Sequence, residues 1–300
     1  MKNFLSTCVL SAAGLFLSAC ATQPKEEPID SVIERGLKTA TDQALLMAKE
    51  LENQDGKLPK SMKDGKLEVS DYSWWCSGFF PGELWYLYEA NPTPELKKYA
   101  ELYTERLEKV KKITYSHDVG FMLNCSYGNG YRLTGNPKYK DVMIEGAHSL
   151  ATRYNPHIGL MRSWDFNKQK WQYPVIIDNM MNLEFLMWAG RATGDNAFTQ
   201  MAISHADKTM ANHFRSDYSC YHVVSYDTIT AQPHIKQTHQ GYADESAWAR
   251  GQAWALYGYT MMYREAKKQA YLEQANHIAQ FLMNHPNMPA DKIPYWDFDC

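Results

Sequence analysis

No Cys-x-x-Cys pair occurs in this 300-residue sequence, and no cluster of His, Cys and carboxylates has metal-ligand spacing. There is no Gly-rich phosphate loop and no nucleophile elbow, which removes P-loop and α/β-hydrolase chemistry. Charge is balanced and scattered, 31 Lys and Arg against 34 Asp and Glu, so no basic patch argues for a nucleic-acid partner. Cysteine is sparse, six in all; Cys76, Cys125, Cys220 and Cys300 lie at irregular spacing that gives no disulfide framework, so buried free thiols are expected. Beyond the first twenty residues no run is apolar enough to span a membrane.

What the chain does have is aromatic side chains: 9 Trp, 20 Tyr and 11 Phe. Much of this belongs in a core, and 45% hydrophobic residues suffice for one large domain. Trp and Tyr also offer flat apolar faces with polar tips, which suits carbohydrate binding.

The N-terminus reads as an address. Lys2 supplies positive charge, residues 4–17 form a short apolar run, and Leu17-Ser18-Ala19-Cys20 places small residues before a cysteine. This resembles a bacterial lipobox: residues 1–19 as signal peptide, Cys20 as the acylated mature N-terminus, and residues 20–30 as a polar, Pro-containing tether. Lys25-Glu26-Glu27 resembles the surface-export signals of Bacteroidetes lipoproteins. The expected location is the outer membrane, on its periplasmic or external side, with membrane contact through the lipid alone.

From residue 31 onward the periodicity predicts helices in succession: 32–51 (capped by Asp30 or Ser31), 82–90, 94–111, 120–133, 137–153, 179–192, 197–214, 247–266 and 270–284. Thr93-Pro94 and Asn136-Pro137 each pair an N-cap with proline at the first helical position, where its missing N–H costs nothing. Strand-like pieces are expected near 159–164 and 221–226. A weak repeat relates Leu133-Thr134-Gly135-Asn136-Pro137 to Ala192-Thr193-Gly194-Asp195-Asn196, a glycine stop followed by a cap. Such short turns join antiparallel helices, and stacked hairpins form a solenoid or close into a toroid. Residues 94–111 and 270–284 are amphipathic, as outer helices; 120–133, 179–192 and 247–266 are poor in charge, as inner helices. Inner helices would carry polar residues at their N-terminal ends toward a shared cavity.

Three segments put polar groups where core is expected: His117-Asp118-Val119-Gly120-Phe121, Ile177-Asp178-Asn179-Met180-Met181-Asn182, and Thr238-His239-Gln240-Gly241 with Trp248-Ala249-Arg250-Gly251-Gln252-Ala253-Trp254. Asp118 and Asp178 each precede an apolar helix, and an aspartate there can be a plain N-cap. Asp178 also sits among apolar residues, which would raise its pKa and let it hold a proton near neutrality. A helix N-terminus opposes that shift, and the sequence leaves the balance open. Two carboxylates would equally serve ordinary glycoside hydrolysis. Trp248 and Gln252, like Arg250 and Trp254, are four apart and form two mixed stripes, read either as packed core or, with a buried Arg, as a fork for a carboxylate or sulfate. His222 lies in a strand-like run, where a lone His is more often structural.

Taken together with Trp75-Cys76-Ser77-Gly78-Phe79-Phe80-Pro81-Gly82, Ser126-Tyr127-Gly128, Thr134-Gly135-Asn136 and Pro294-Tyr295-Trp296-Asp297-Phe298-Asp299, these segments resemble glycoside hydrolase family 88, the unsaturated glucuronyl hydrolases, in family order across almost the whole mature chain. The resemblance implies an all-α (α/α)6 barrel over residues 31–300 and removal of the 4,5-unsaturated glucuronic acid that a lyase leaves on a glycosaminoglycan oligosaccharide. It implies Asp178 as general acid and base, and Asp118 as the second essential aspartate. Trp75, Trp248 and Trp254 would be aromatic walls; His117, His222, Gln240 and Arg250 polar contacts; Lys236 and Thr238 lie beside them. No cofactor is implied.

About nine helices are read where a closed six-hairpin barrel takes twelve. The resemblance therefore implies a barrel incomplete at the C-terminus, and a 300-residue chain that is poorly stable or inactive alone. Three other functions compete: an unsaturated rhamnogalacturonyl hydrolase acting on pectin fragments, a non-catalytic glycan-binding lipoprotein, and a helical-repeat scaffold.

Overall fold

The computed structural model describes residues 27–300; the expected signal peptide, Cys20 and most of the expected tether lie outside the described residues. The first helix, α1 (Ile29–Leu51), starts inside the expected tether, with Pro28 before it and Asp30 in its first turn, so neither Asp30 nor Ser31 is its cap. It buries only Ala44, Ala48 and Leu51 and leaves Ile29, Val32, Ile33, Leu37 and Leu46 exposed.

A β-hairpin follows that the periodicity does not announce: β1 (Leu58–Lys63) and β2 (Lys66–Ser70), antiparallel. Asp64 and Gly65 turn it with φ of 49° and 72°, the doubly left-handed turn that an Asp-Gly pair favours. Its residues are mostly exposed, so no alternation of apolar and polar positions marks it.

The hairpin of α2 (Phe79–Ala90) and α3 (Pro94–Glu105) comes next, and the Thr93 hydroxyl accepts from Leu96 N at 3.2 Å. The expected 94–111 helix stops early, and residues 108–112 tighten into a 3-10 turn. The expected 120–133 helix is split. Here α4 (Val119–Leu123) leads into a π turn at 124–128 and then α5 (Asn129–Thr134), with Ser126 Oγ bonded back to Met122 O at 2.6 Å. A side chain inserted in the ladder this way widens a helix locally.

The repeat holds at its junctions. Gly135 (φ 68°) and Gly194 (φ 76°) end α5 and α7 (Leu183–Thr193), and Asn136 and Asp195 cap α6 (Pro137–Ala151) and α8 (Asn196–Asn212) by accepting from Lys138 N and Ala197 N. Last come α9 (Ala249–Ala266) and α10 (Gln269–Asn284). Helices α2, α7 and α9 pair with α3, α8 and α10; α7 also packs on α6 and α9, so the hairpins stand side by side around the core. This is the hairpin architecture of an α/α barrel. Ten α-helices are found among the described residues, one more than expected because of the split at the π turn.

The strands sit at the end where the inner helices begin. β3 (Tyr154–Asn155) and β4 (Leu160–Met161) form a small ladder; β5 (Pro174–Ile176), β6 (Val223–Tyr226) and β7 (Pro233–Gln237) form an antiparallel sheet in that order. Only β4 and β6 fall in the expected strand segments. Among the described residues the four cysteines are free, as expected, but only Cys220 is buried; Cys76 and Cys125 are half-buried and Cys300 is exposed.

Candidate active site

Asp178 lies in a 3-10 segment (Ile177–Asn182) between β5 and α7, not at the start of a long helix. It is 9% exposed, and its Oδ2 is buried without a hydrogen-bond partner. Burial first, and then the charge of Asp118, push its carboxyl up to about 7, against the opposing pull of Arg250, its own backbone N–H and the Trp254 indole. The balance left open by the sequence thus falls on the side of a proton held near neutrality.

Asp118 immediately precedes α4, but its side chain makes no capping bond. It accepts instead from Ser116 Oγ at 2.6 Å and faces His117 Nε2 at 3.3 Å. A plain N-cap role is therefore excluded. His117 is buried, and burial lowers its pKa, so the ring is neutral.

The third segment builds the opposite wall. Arg250 is exposed rather than buried, which corrects the expectation of a buried Arg. Its guanidinium carbon lies 4.5 Å from the Trp248 ring and 5.3 Å from the Trp75 ring, and Nη2 donates to Gln240 Oε1 at 2.7 Å. The two stripes of α9 separate: Trp248 and Gln252 turn into the protein, at 5% and 0% exposure, while Arg250 and Trp254 remain on the partly open side. Trp254 stacks along Phe121 at 6.5 Å, and Phe121 meets Phe79 and Trp75 at 5.6 and 5.9 Å, a continuous aromatic floor. The Trp254 Nε1 is buried and has no partner within bonding distance, so its pull on the Asp178 carboxyl acts from beyond that distance.

His222 is not merely structural in its bonding. Its Nδ1 accepts from the backbone N–H groups of His239 (3.0 Å) and Gln240 (3.1 Å), leaving the proton on Nε2, which is buried and has no partner. Burial lowers its pKa to about 3, so it offers one neutral N–H beside Trp248, 4.5 Å away.

Lys236 and Thr238 are placed differently. Lys236 is exposed on β7 with its ammonium 5.1 Å from the Tyr221 ring, and Thr238 Oγ1 accepts from Gly241 N at 2.6 Å, closing the loop that carries Gln240. Their contacts serve the sheet and the loop, and among the described residues neither side chain hydrogen-bonds Asp118 or Asp178.

Sequence reasoning missed Trp164 and His239 as lining groups. Trp164 faces His222 at 5.7 Å and His239 at 5.2 Å, with Phe166 stacked on it at 4.9 Å. The available signals were the strand-like run ending at Trp164 and the Thr-His-Gln-Gly segment. A separate cavity of about 690 Å³, lined by Glu89, Asn124, Arg132, Glu184 and Tyr257, lies further along the inner helices, and neither aspartate borders it.

What converges is a buried carboxyl able to hold a proton, a second carboxylate beside it, an Arg-Gln pair, a neutral imidazole N–H and an aromatic floor. That set suits acid-base chemistry on an anionic sugar.

Comparison with known proteins gives the same direction. Residues 46–297 match the family profile of Glycosyl Hydrolase Family 88. The chain is 50% identical over 226 residues to an unsaturated glucuronyl hydrolase of Formosa agariphila, an alignment covering 75% of this chain and 56% of that protein. It is 34% identical over 234 residues to an unsaturated chondroitin disaccharide hydrolase of Streptococcus agalactiae, covering 77% and 58%. The chain thus spans somewhat over half the length of these curated relatives. Among solved structures, an unsaturated glucuronyl hydrolase specific for heparin superposes with TM-score 0.83 at 48% identity, over 88% of this chain and 71% of that one. The glycosaminoglycan-degrading enzyme from a Bacillus species superposes with TM-score 0.80 at 28% identity, over the same shares.

Proposed function

This chain belongs to glycosyl hydrolase family 88, and from that premise we propose that it removes a 4,5-unsaturated glucuronic acid from the non-reducing end of lyase-made glycosaminoglycan oligosaccharides. The single observation that carries the reading is Asp178: a buried aspartate with its carboxyl pushed up to about 7. Such a group can donate a proton at neutral pH and take one back in the same cycle.

In the proposed reaction Asp178 gives its proton to C4 of the enol ether. Positive charge develops at C5 and the ring oxygen, and water adds at C5 while the Asp178 carboxylate takes a proton from it. The hemiketal at C5 opens to a ketone and leaves C1 as an acyclic hemiacetal, which collapses to an aldehyde as the glycosidic oxygen takes the proton and leaves with the rest of the sugar chain as an alcohol. No nucleophile at the anomeric carbon is needed. Asp118 lies next to His117 Nε2 and the Ser116 hydroxyl, placed to hold sugar hydroxyls, and its charge keeps the proton affinity of Asp178 high. Arg250 and the His222 Nε2–H are the donors for an anionic or hydroxylated ring lying on Trp75 and Trp254, with Phe121 packed between them.

The substrate is tested by ultraviolet absorbance. The conjugated enol-ether carboxylate absorbs, and hydration destroys the chromophore. An unsaturated chondroitin or heparin disaccharide should lose its absorbance with the wild-type chain and keep it with Asp178→Asn. Loss with both proteins would remove Asp178 from its role. Loss only with an unsaturated rhamnogalacturonan fragment would move the chain to pectin chemistry. Tight glycan binding without loss on any of these would make it a capture protein.

Acylation at Cys20 and an outer-membrane location belong to the same proposal, supported by the small residues before Cys20. Metabolic labelling with a fatty acid should mark the wild-type protein and not Cys20→Ala.

A further inference from the structure

Behind the two aspartates runs a line of buried amides. Asn182, fully buried at the end of the 3-10 segment, accepts from the backbone N–H of Phe121 through Oδ1 at 2.9 Å. That bond fixes which way the amide faces, because only its oxygen can accept. Its Nδ2 then points at His117 Nδ1 (3.5 Å) and Asn179 Oδ1 (3.4 Å). Asn179 is fixed from the other end: its Nδ2 donates to Met161 O at 2.9 Å and Ser163 Oγ at 3.2 Å. Ser163 Oγ in turn accepts from Ile176 N at 2.9 Å, tying the line to β5. Backbone groups at both ends thus leave neither amide free to flip.

Gly120 shows how closely this is packed. A Cβ there would lie 2.5 Å from Asn182 Oδ1 and 2.7 Å from its Cβ. Only glycine lets the first turn of α4 rest against the amide.

An amide NH2 is donor-only, so the imidazole nitrogen that it faces must be the acceptor. His117 is neutral and has one proton; the Asn182 donor facing Nδ1 favours placing it on Nε2, the nitrogen facing Asp118 Oδ1, over the alternative in which a ring N–H turns to the Asn179 amide oxygen, whose bond raises the His117 pKa. We propose that Asn182 is a positioning residue: by presenting a donor to His117 Nδ1, it keeps the ring proton on Nε2 and so fixes the orientation of Asp118 beside Asp178. The opposite tautomer would aim a lone pair at a carboxylate oxygen, and Asp118 would swing toward Ser116, its other partner. This rests on the proposed function in that Asp118 and Asp178 serve the uronide reaction. The charged groups acting on His117 are Asp118 and Arg153, and those acting on Asp178 are Asp118 and Arg250, so Asp118 joins the two.

The test begins with the wild-type chain labelled with 15N-histidine, the His117 signals being assigned by their loss in His117→Gln. The nitrogen shifts should show a neutral ring protonated on Nε2. In Asn182→Ala that preference should be lost, kcat should fall roughly tenfold with KM within about threefold, and the alkaline limb of the rate profile should move to lower pH as Asp118 turns away. Asn182→Asp covers the case where the alanine variant does not fold. It keeps an acceptor for Phe121 N but faces His117 with an oxygen, so the ring should protonate on Nδ1. A wild-type ring protonated on Nδ1 would overturn the proposal. So would an Asn182→Asp protein with an unchanged His117 spectrum and unchanged alkaline limb. A wild-type protein with the Nε2 proton but no turnover would sink the functional reading alone, because the nitrogen shifts do not depend on activity.

Discussion

Arg250 Nη2 lies 2.7 Å from Gln240 Oε1, and the same guanidinium plane is flanked by Trp248 and Trp75. An exposed arginine so held is preorganised: its rotamers are restricted before any anion arrives, so less entropy is lost on binding. Lysine keeps the charge but has neither the fork nor the flat face. Arg250→Lys should therefore raise KM about tenfold, consistent with roughly 1–2 kcal/mol for one charge-assisted bond and its stacking. Because the positive charge of Arg250 lowers the Asp178 pKa, the lysine variant should keep the alkaline limb of the wild type, while Arg250→Met should move it upward. Initial rates across pH for both variants separate the two effects.

Asp178 links activity to stability with opposite signs. Its carboxyl rises from 3.8 to about 7 in the folded chain, so between those values the folded state holds a proton that the unfolded state releases. Stability from this group is full below pH ~4 and falls as pH rises toward ~7. The loss amounts to at most about 4 kcal/mol, three pKa units at ~1.4 kcal/mol each. Asp178→Asn cannot ionise and should melt at higher temperature than wild type at pH 8, with the gap closing at pH 4, while turnover disappears. Calorimetry at the two pH values checks the sign; a variant less stable than wild type at pH 8 would mean that Asp178 is ionised and well solvated.

Gly120→Ala sets two effects against each other. Replacing a helical glycine by alanine gains about 0.5–1 kcal/mol from backbone entropy. Here the added carbon would meet Asn182 Oδ1 at 2.5 Å, and Asn182 cannot retreat without giving up Phe121 N and His117. Overpacking of this kind costs about 1–3 kcal/mol, so the clash should win and the melting temperature should fall by several degrees. A rise would show that the α4 turn is looser than its contacts indicate.

The parts of the molecule visible in the sequence were those governed by short-range rules. Thr93-Pro94, Gly135-Asn136-Pro137 and Gly194-Asp195 fixed their junctions because caps and left-handed glycines act within a turn or two. The π turn at 124–128 was invisible because Ser126 bonding back to Met122 O is one local outcome among several for a serine in a helix. The β1–β2 hairpin lacked a buried face, leaving its Asp-Gly turn as the lone signal. Asp118 and Asp178 were legible as candidates, yet what distinguishes them from caps is tertiary: His117 and Ser116 on one, burial and a neighbouring charge on the other. Trp164 and the unpaired Nε2 of His222 depend on a sheet whose strands come from residues 174–176, 223–226 and 233–237, and no local pattern reports that meeting.

Trp164 owes its place to an ion pair one residue away. Asp165 Oδ2 bonds Arg153 Nη1 at 2.7 Å, and Arg153, almost fully buried, also donates to Arg162 O and Thr114 O at 2.9 Å each. Burial alone would raise the Asp165 carboxyl, but the Arg153 bond and the charges of Arg153 and Arg162 outweigh it and hold the carboxyl below its usual value. Asp165→Ala strands a buried guanidinium. Removing one partner of a fully buried pair costs about 3–5 kcal/mol, and the partial exposure of Asp165 argues for the lower half of that range or less, about 1–3 kcal/mol. Since a lowered carboxylate stabilises only where it is ionised, the cost should be full at pH 7 and shrink as pH falls through its depressed pKa. The segment freed carries Trp164 and Phe166, which flank His222 and His239, while Asp178 is anchored separately on the 3-10 segment. KM should therefore rise several-fold with kcat little changed. A kcat loss at constant KM would place Trp164 in the chemical step instead of in sugar binding.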